Sequence, residues 1–431
     1  MKILIRNASI IVGDAADDFI IKRGDLAIEE DRIIKVADEG ELPLGWQADK
    51  EIDGSNKAVL PGFVNTHTHA AMALFRSYAD DLPLMKWLKE KIWPLEEKLT
   101  AEDVYWGSML AICEMLKSGT TTFADMYFYM DEVARAVEES GIRACLSRGI
   151  VMFTAEESIP YSKAFVQKWQ NAADGRITTM LGPHAPYTCP PDLLKDKVIP
   201  LATELGVGMH IHLAETKGEV EDMKAKYGMT PIKLMESIGL FELHVLAAHV
   251  VHPDAEEMAI LKAHNVSVAH NPESNLKLAS GIAPVPEMLE AGINVSLGTD
   301  GAASNNNLDM LSEMRTMALI HKATSFNPEV IPAKQALKVA TLNGARALGL
   351  KEVGKLAPGM KADLICIDLN KAHMQPLHNI IANIVYAAHP SDVTHTIVNG
   401  KILVEDGVLT TIDEQLVIRQ AQLSAERLTA I

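Results

Sequence analysis

The chain has 431 residues, 48% of them hydrophobic, and a formal net charge of −17. That length suits a large core and suggests two or three domains, although α/β barrels run to roughly 200–250 residues as a single unit. The acidic balance argues against a nucleic-acid binder or a protein drawn to anionic lipid, since both carry basic faces. Four scattered cysteines (Cys113, Cys145, Cys189 and Cys366) form no CxxC pair and read as reduced thiols of a cytoplasmic protein.

The first 57 residues read as short strands with polar turns: "KILIRNASIIVG", "GDLAIEEDRIIKVA" and "EIDGSNKAVL". The opening apolar run is broken by Arg6, Asn7 and Ser9, and no small-residue cleavage site follows, so strands are expected rather than a signal peptide. No stretch approaches roughly 18 uninterrupted apolar residues, so no membrane span is expected.

From residue 58 the texture changes to short apolar strands alternating with helical stretches. The strands are "AVLPGFVNTH", "TTFADM", "RACLSRGI", "ITTMLGPH", "VGMHIHLAE", "HVLAAHVV", "VSVAHNP" and "NVSLGTD". The helical stretches include "TAEDVYWGSMLAICEMLKSG", "MDEVARAVEESG", "PDLLKDKVIPLATELG" and "DAEEMAILKAHN", often closed by Gly or Asn. Eight such alternations predict a (β/α)8 TIM-type barrel over 58–354. The far end, with "GKLAPGMKADLICIDL" and "VTHTIVNGKILVEDG", matches the first 57 residues in texture. Either flank alone is too small for a stable sheet. The expected organisation is therefore a small composite β-sandwich domain from 1–57 and 355–431, beside the barrel.

Barrel enzymes place their catalytic groups at the C-terminal ends of strands. Those ends carry His67, His69, Asp125, Arg148, His184, His212, His249, His270 and Asp300. A His-x-His pair by itself is weak evidence, because 15 histidines in 431 residues give about 0.5 such pairs by chance. Residues i and i+2 of a strand share a face, so His67 and His69 point the same way, as do His210 and His212. A pair that closes a barrel strand, with histidine or aspartate closing four others, is hard to explain as packing.

These motifs resemble the amidohydrolase superfamily, and within it the branch of nucleoside deaminases acting on 5'-methylthioadenosine and S-adenosylhomocysteine. The resemblance rests on "PGFVNTHTHAAM" (61–72), "LGPHAPYTC" (181–189), "HIHLAET" (210–216), "AAHVVH" (247–252), "AHNPESNLKLASG" (269–281) and "GTDGAASNNNLDM" (298–310), and it extends over essentially the whole chain. It implies one divalent ion per subunit, usually zinc, held by His67, His69, His212 and Asp300. Three neutral imidazoles and a carboxylate leave a position for water, whose pKa falls from 15.7 to about 7, so hydroxide can attack C6 of an adenine ring. The resemblance further implies that Glu215 is the proton shuttle, that Asp300 also takes a proton from the water, and that His249 orients the attacking hydroxide. It implies that His184 hydrogen-bonds the purine, and that members are commonly homo-oligomers.

Plainer readings hold for the rest. His210 is expected to be a barrel-core histidine rather than a ligand, and His252, His264 and His321 to lie at the surface. Asp125 is a strand-end acid without an assigned role, fit for orienting a neighbour. His270 and Asn271 have loop shaping as their simplest role, and the 20 methionines fill core gaps. The fourth strand ends in "LGPHAP" without the bridging lysine of binuclear relatives, which favours a single metal. The other zinc-deaminase signature, H-x-E with P-C-x-x-C, is missing.

The stretch "DDLPLMKWLKEKIWPLEEKLT" (80–100) is a long insertion after the first barrel strand, read plainly as a helical lid. By resemblance, Glu96 pairs with ribose hydroxyls, Trp87 packs over the 5' side, and Arg148 reaches a homocysteine carboxylate. The family's second arginine is missing from "GIVMFTAEESIPYSK" (149–163), which tilts the expectation toward small 5' groups. The nearest rival is an aminohydrolase of a free base or s-triazine. An inactive scaffold is the reading from a different class.

Overall fold

A computed structural model describes residues 1–13, 18–38 and 45–430. Near the N-terminus lie strands β1 (Lys2–Gly13), β2 (Phe19–Glu29), β3 (Arg32–Ala37), β4 (Lys50–Asp53) and β5 (Lys57–Pro61). Then come β6 (Phe63–Thr68), β7 (Thr120–Tyr127), β8 (Arg143–Ile150), β9 (Ile177–Thr179), β10 (Gly182–Pro183), β11 (Met209–Leu213), β12 (Val245–His249), β13 (Ser267–His270) and β14 (Asn294–Leu297). The C-terminal strands are β15 (Leu364–Asp368), β16 (Val393–Val398), β17 (Lys401–Glu405) and β18 (Val408–Leu409).

The fold is α/β, with parallel strands β6 to β14 separated by helices except between β9 and β10. One parallel sheet runs β10-β8-β7-β6, with β9 also on β8, and the other runs β11-β12-β13-β14. A parallel bridge, Leu181 with Met209, joins them on one side. On the other side the Asp300 N–H donates to the His67 carbonyl at 2.9 Å. β9 and β10 together hold the fourth strand position, so this order is consistent with the eight-stranded barrel predicted from sequence. Almost every residue of these strands is buried, which explains why they read as continuous apolar runs. Register aligns their C-terminal ends: Thr68 pairs with Asp125, Tyr127 with Arg148, Leu213 with His249 and His270 with Leu297.

Helices between the strands start on side-chain caps. Thr100 and Asp103 form a capping box for the helix Ala101–Lys117, and Asp254 and Glu257 do so for Ala255–Ala263. "PDLLKDKVIPLATELG" departs from one continuous helix, because a π-helical turn at Leu194–Val198 precedes Pro200 in the first turn of Ile199–Leu205. Proline lacks the N–H that would close a regular turn there, so the helix widens. The lid repeats the device, with a π turn at Leu88–Ile92 ahead of Pro94.

The terminal strands form one nine-stranded sheet, in the order β18-β17-β16-β15-β5-β1-β2-β3 with β4 on β1. β15 and β5 pair antiparallel, Leu364 opposite Pro61 and Asp368 opposite Lys57, so the two ends of the chain meet there. In the stretch "GKLAPGMKADLICIDL" the strand is confined to Leu364–Asp368, since Gly359 turns the chain with φ +87°. β1 runs through Arg6 and Asn7, where its register shifts and the Asn7 N–H donates to Asp25.

Candidate active site

The strand ends bring His67 and His69 (β6), His212 (β11) and Asp300 (just past β14) into one cluster. The His69 Nε2 lies 3.2 Å from the His212 Nε2 and 3.3 Å from the Asp300 Oδ1, and the His67 Nε2 lies 3.5 Å from that same oxygen. Donors about 2.05 Å from a tetrahedral centre stand about 3.3 Å apart, so these spacings fit a zinc-type ligand set. The tautomers agree. The Nδ1 of His69 sits 2.6 Å from the Met126 carbonyl and the Nδ1 of His212 sits 2.8 Å from the His184 carbonyl, so each Nδ1 carries the proton and each Nε2 presents a lone pair. Two lone pairs facing each other at 3.2 Å are satisfied by a cation. The His67 Nε2 is buried with no hydrogen-bond partner among the described residues, which is a second mark of a ligand position. Two groups of ligand atoms meet within 4.8 Å: His67, His69 and His212; and His67, His249 and Asp300. Burial pushes His67 down to about 4, so the imidazole is neutral at pH 7, as a ligand must be.

Asp300 has its carboxylate held in place. Its Oδ2 accepts from the Ser274 and Ser304 hydroxyls at 2.7 and 2.9 Å, and its Oδ1 accepts from the Gly301 N–H at 2.8 Å. Asp300 takes φ +62°, and Ala214 and His249 also adopt positive φ, at +51° and +74°. Such backbone costs about 1–3 kcal/mol per residue and gathers where function demands an unusual orientation. Gly298 allows the close approach of β14 to β6, since a Cβ there would lie 2.8 Å from the His67 Cβ.

Beside the ligand set, the Glu215 Oε2 lies 3.9 Å from the His249 Nε2, and the Glu215 Oε1 accepts from the Ser280 hydroxyl at 3.4 Å. Burial, then the charge of Asp300, push the Glu215 carboxyl up to about 8 despite that hydrogen bond. The His249 Nδ1 is held by the side-chain amides of Asn271 and Asn275, at 3.1 and 2.9 Å, which leaves Nε2 facing Glu215. Burial pushes His249 down to about 4 and His184 to about 3. The His184 Nδ1 lies 2.9 Å from the Thr188 hydroxyl.

His69, His184, His212, Glu215, His249 and Asp300 open onto a cavity of about 520 Å3, whose lining also includes Trp87, Glu96 and Arg148. Trp87 is anchored by its indole N–H, which donates to the Ala79 carbonyl at 3.1 Å. The Arg148 guanidinium packs 4.8 Å from the Phe128 ring centre and donates to the Gly149 carbonyl. The candidate ligands, Glu215, His249, His184, Trp87, Glu96 and Arg148 thus gather around one mouth, whereas His270 packs on His321 and Asp125 bonds to Thr68 and Ala70.

The structure adds groups the sequence reading missed. Ser274, Ser304 and Asn275 carry no periodic or motif signal of their own beyond lying in "NPESN" and "GTDGAASN". The Tyr127 hydroxyl, buried, stands against Glu96. His210 is a core histidine as expected, yet its Nε2 lies 2.8 Å from the His67 Nδ1. Asp125 accepts from the Thr68 hydroxyl and the Ala70 N–H, tying β6 to β7 beside the candidate ligands. His321, expected at the surface, is buried at 2% exposure, because its helix Met310–Ser325 turns that face inward onto His270. His252 and His264 are half-buried, the former beside the Ser280 carbonyl.

The amidohydrolase family model matches residues 58–403. A 5-methylthioadenosine/S-adenosylhomocysteine deaminase of Pelotomaculum thermopropionicum is 55% identical over 428 residues, covering 99% of this chain and 98% of that protein. One of the same name from Syntrophomonas wolfei is 56% identical, with 99% of each covered. Among solved structures, a zinc-bound adenosine deaminase from Xanthomonas campestris aligns with a TM-score of 0.96 at 34% identity, covering 100% of this chain and 99% of its own. The ligand-type cluster, the fold and these matches agree, and the chain belongs to the amidohydrolase family.

Proposed function

We propose that this chain is a metal-dependent aminohydrolase that converts an adenine nucleoside and water into the inosine analogue and ammonia. The observation that carries the reading is the meeting of His67, His69, His212 and Asp300 beside Glu215 at the floor of a cavity walled by Glu96 and Trp87. The relatives named as 5-methylthioadenosine/S-adenosylhomocysteine deaminases support the substrate class. We assign one ion per chain to those four ligands, with zinc favoured by the nitrogen-rich donor set and by the zinc-bound neighbour. A divalent ion there supplies the Lewis acidity that brings the ionisation of water into the neutral range.

The chain's own residues do the rest. Glu215, raised to about 8, holds a proton at neutral pH and donates it to the ring nitrogen beside the attacked carbon. Asp300 takes one proton from the attacking water and passes it to the departing amine, and the ionised Glu215 recovers a proton from the remaining hydroxyl as the carbonyl forms. His249, pinned through Nδ1, directs the attack with its free Nε2. His184 stands where the purine edge would be bound, and Glu96 accepts from the two ribose hydroxyls. Arg148, packed among aromatic rings, is the one arginine placed to meet a homocysteine carboxylate, and the lack of a second in 149–163 favours small 5' groups. Four buried free cysteines support a reducing cytoplasm, and no helix among the described residues is long and apolar enough to cross a membrane. A homo-oligomer is proposed by family resemblance alone.

The test is a panel of 5'-methylthioadenosine, 5'-deoxyadenosine, adenosine, S-adenosylhomocysteine, adenine and guanine compared by kcat/KM. Deamination confined to the nucleosides, with the small 5' groups ahead, is the expected outcome. Efficient turnover of a free base would select the rival reading instead.

A further inference from the structure

We propose that His210 is a positioning residue that orients the metal ligand His67 by accepting, at its Nε2, the hydrogen bond that the His67 Nδ1–H donates. The inference rests on the proposed metal site and goes beyond it, because His210 lies outside both ligand groups. A metal-binding imidazole presents one nitrogen to the ion and donates its other N–H to an acceptor, commonly a carboxylate or a carbonyl. His69 and His212 follow that rule with backbone carbonyls. His67 differs, since the atom at its Nδ1 is the Nε2 of another imidazole, 2.8 Å away.

The partners of His210 set the direction of the proton chain. The His210 Nδ1 lies 3.5 Å from the Ser147 hydroxyl, which itself donates to the Asp125 carbonyl at 2.9 Å. That carbonyl can only accept. Ser147 therefore spends its proton on it and offers lone pairs to His210, whose proton then sits on Nδ1. The His210 Nε2 is left as an acceptor, and the proton of His67 is placed on Nδ1. The polarity runs one way, from His67 through His210 and Ser147 to the backbone of β7. The opposite polarity would put the His67 proton on Nε2, inside the ligand set. The two rings meet edge-on, at 81° with centres 4.9 Å apart, so rotating either one breaks the contact. Both are buried, His67 at 0% and His210 at 1% exposure, so no water replaces the partner.

The experiment compares His210→Gln, which keeps an acceptor near the Nε2 position, with His210→Asn, whose amide falls short, and with His210→Leu. The readouts are zinc affinity by chelator competition, the visible spectrum of the cobalt-substituted protein, and thermal stability of the metal-free protein. Expected are a loss of about 10- to 100-fold in zinc affinity for Asn and Leu, altered cobalt bands, and rescue of both by Gln. Wild-type affinity and spectrum in the Asn variant would overturn the proposal, as would Gln behaving like Asn. If Leu fails to fold, the Gln and Asn pair still decides. A wild-type protein that binds no zinc at all would instead sink the proposed metal site, so the two failures are distinct.

Discussion

The Glu215 carboxylate and the His249 imidazole face each other across 3.9 Å, and each is held from behind by a different element. The Glu215 N–H donates to Glu219 at the start of the helix Lys217–Tyr227, while His249 leans on Asn271 and Asn275 after β13. The proposed proton transfer by Glu215 and the proposed metal holding by the histidines and Asp300 are therefore separable by experiment. Glu215→Gln should keep about one ion per chain by elemental analysis and lose about 10²- to 10⁴-fold in kcat. Loss of the ion would move Glu215 into the ligand set.

Removing the metal should abolish activity and leave the fold. The apolar clusters that pack the strands stand apart from the ligands, and a catalytic ion is an addition to such a core. Chelation should leave the circular dichroism spectrum near native, with activity returning on zinc addition. Unfolding on chelation would make the ion structural.

Glu96→Ala should cost on the order of 10²-fold or more in kcat/KM for nucleosides, the scale of lost charged hydrogen bonds. The folded protein should be little affected, because Glu96 lines the cavity. Unchanged kinetics would remove Glu96 from the ribose site.

Gly298→Ala should lower thermal stability by roughly 1–3 kcal/mol and weaken metal binding. The added methyl would fall 2.4 Å from the Asn271 Oδ1 as well as against His67, pushing β14 away from β6. Melting curves with and without zinc check both parts. Unchanged curves would show that the strands tolerate a wider spacing.

Glu219 carries a pH signature in stability. Burial pushes its carboxyl up to about 8, with the charge of Glu215 adding to the shift and backbone N–H donors from Glu215, Ala214 and Thr216 opposing it. The folded state therefore holds a proton that the unfolded chain has already lost, and stability falls as pH rises from about 4.5 to about 8. Glu219→Gln should flatten that part of the profile in chemical denaturation. A variant whose slope matches the wild type would show that Glu219 is ionised in the folded protein.

The parallel strands and the site were legible from sequence for a shared reason. A strand buried on both faces is a short apolar run, and a histidine or aspartate ending such a run contradicts its surroundings. That is how His67, His212, His249 and Asp300 stand out. The direction of a proton does not show in sequence, so His210 reads the same whether it packs or serves His67. His321 was misplaced because helical period alone leaves open which face meets the barrel. Ser274, Ser304 and Tyr127 are common residues whose meaning comes from what they touch. The π turns at Leu88–Ile92 and Leu194–Val198 follow from Pro94 and Pro200, a signal present in the sequence but not read.

The pairing of β5 with β15 also governs the order in which the molecule can be made. Lys57–Pro61 leaves the ribosome some three hundred residues before Leu364–Asp368, its partner. Throughout that interval the β5 edge is an unpaired row of amides and carbonyls, the kind of surface on which nascent chains aggregate. A messenger cut short before residue 364 would release a chain with its parallel strands complete and that edge still open. Such truncated products should be recognised by chaperones through β5, and a synthetic peptide spanning 361–369 supplied in trans should cover the edge and keep them dispersed.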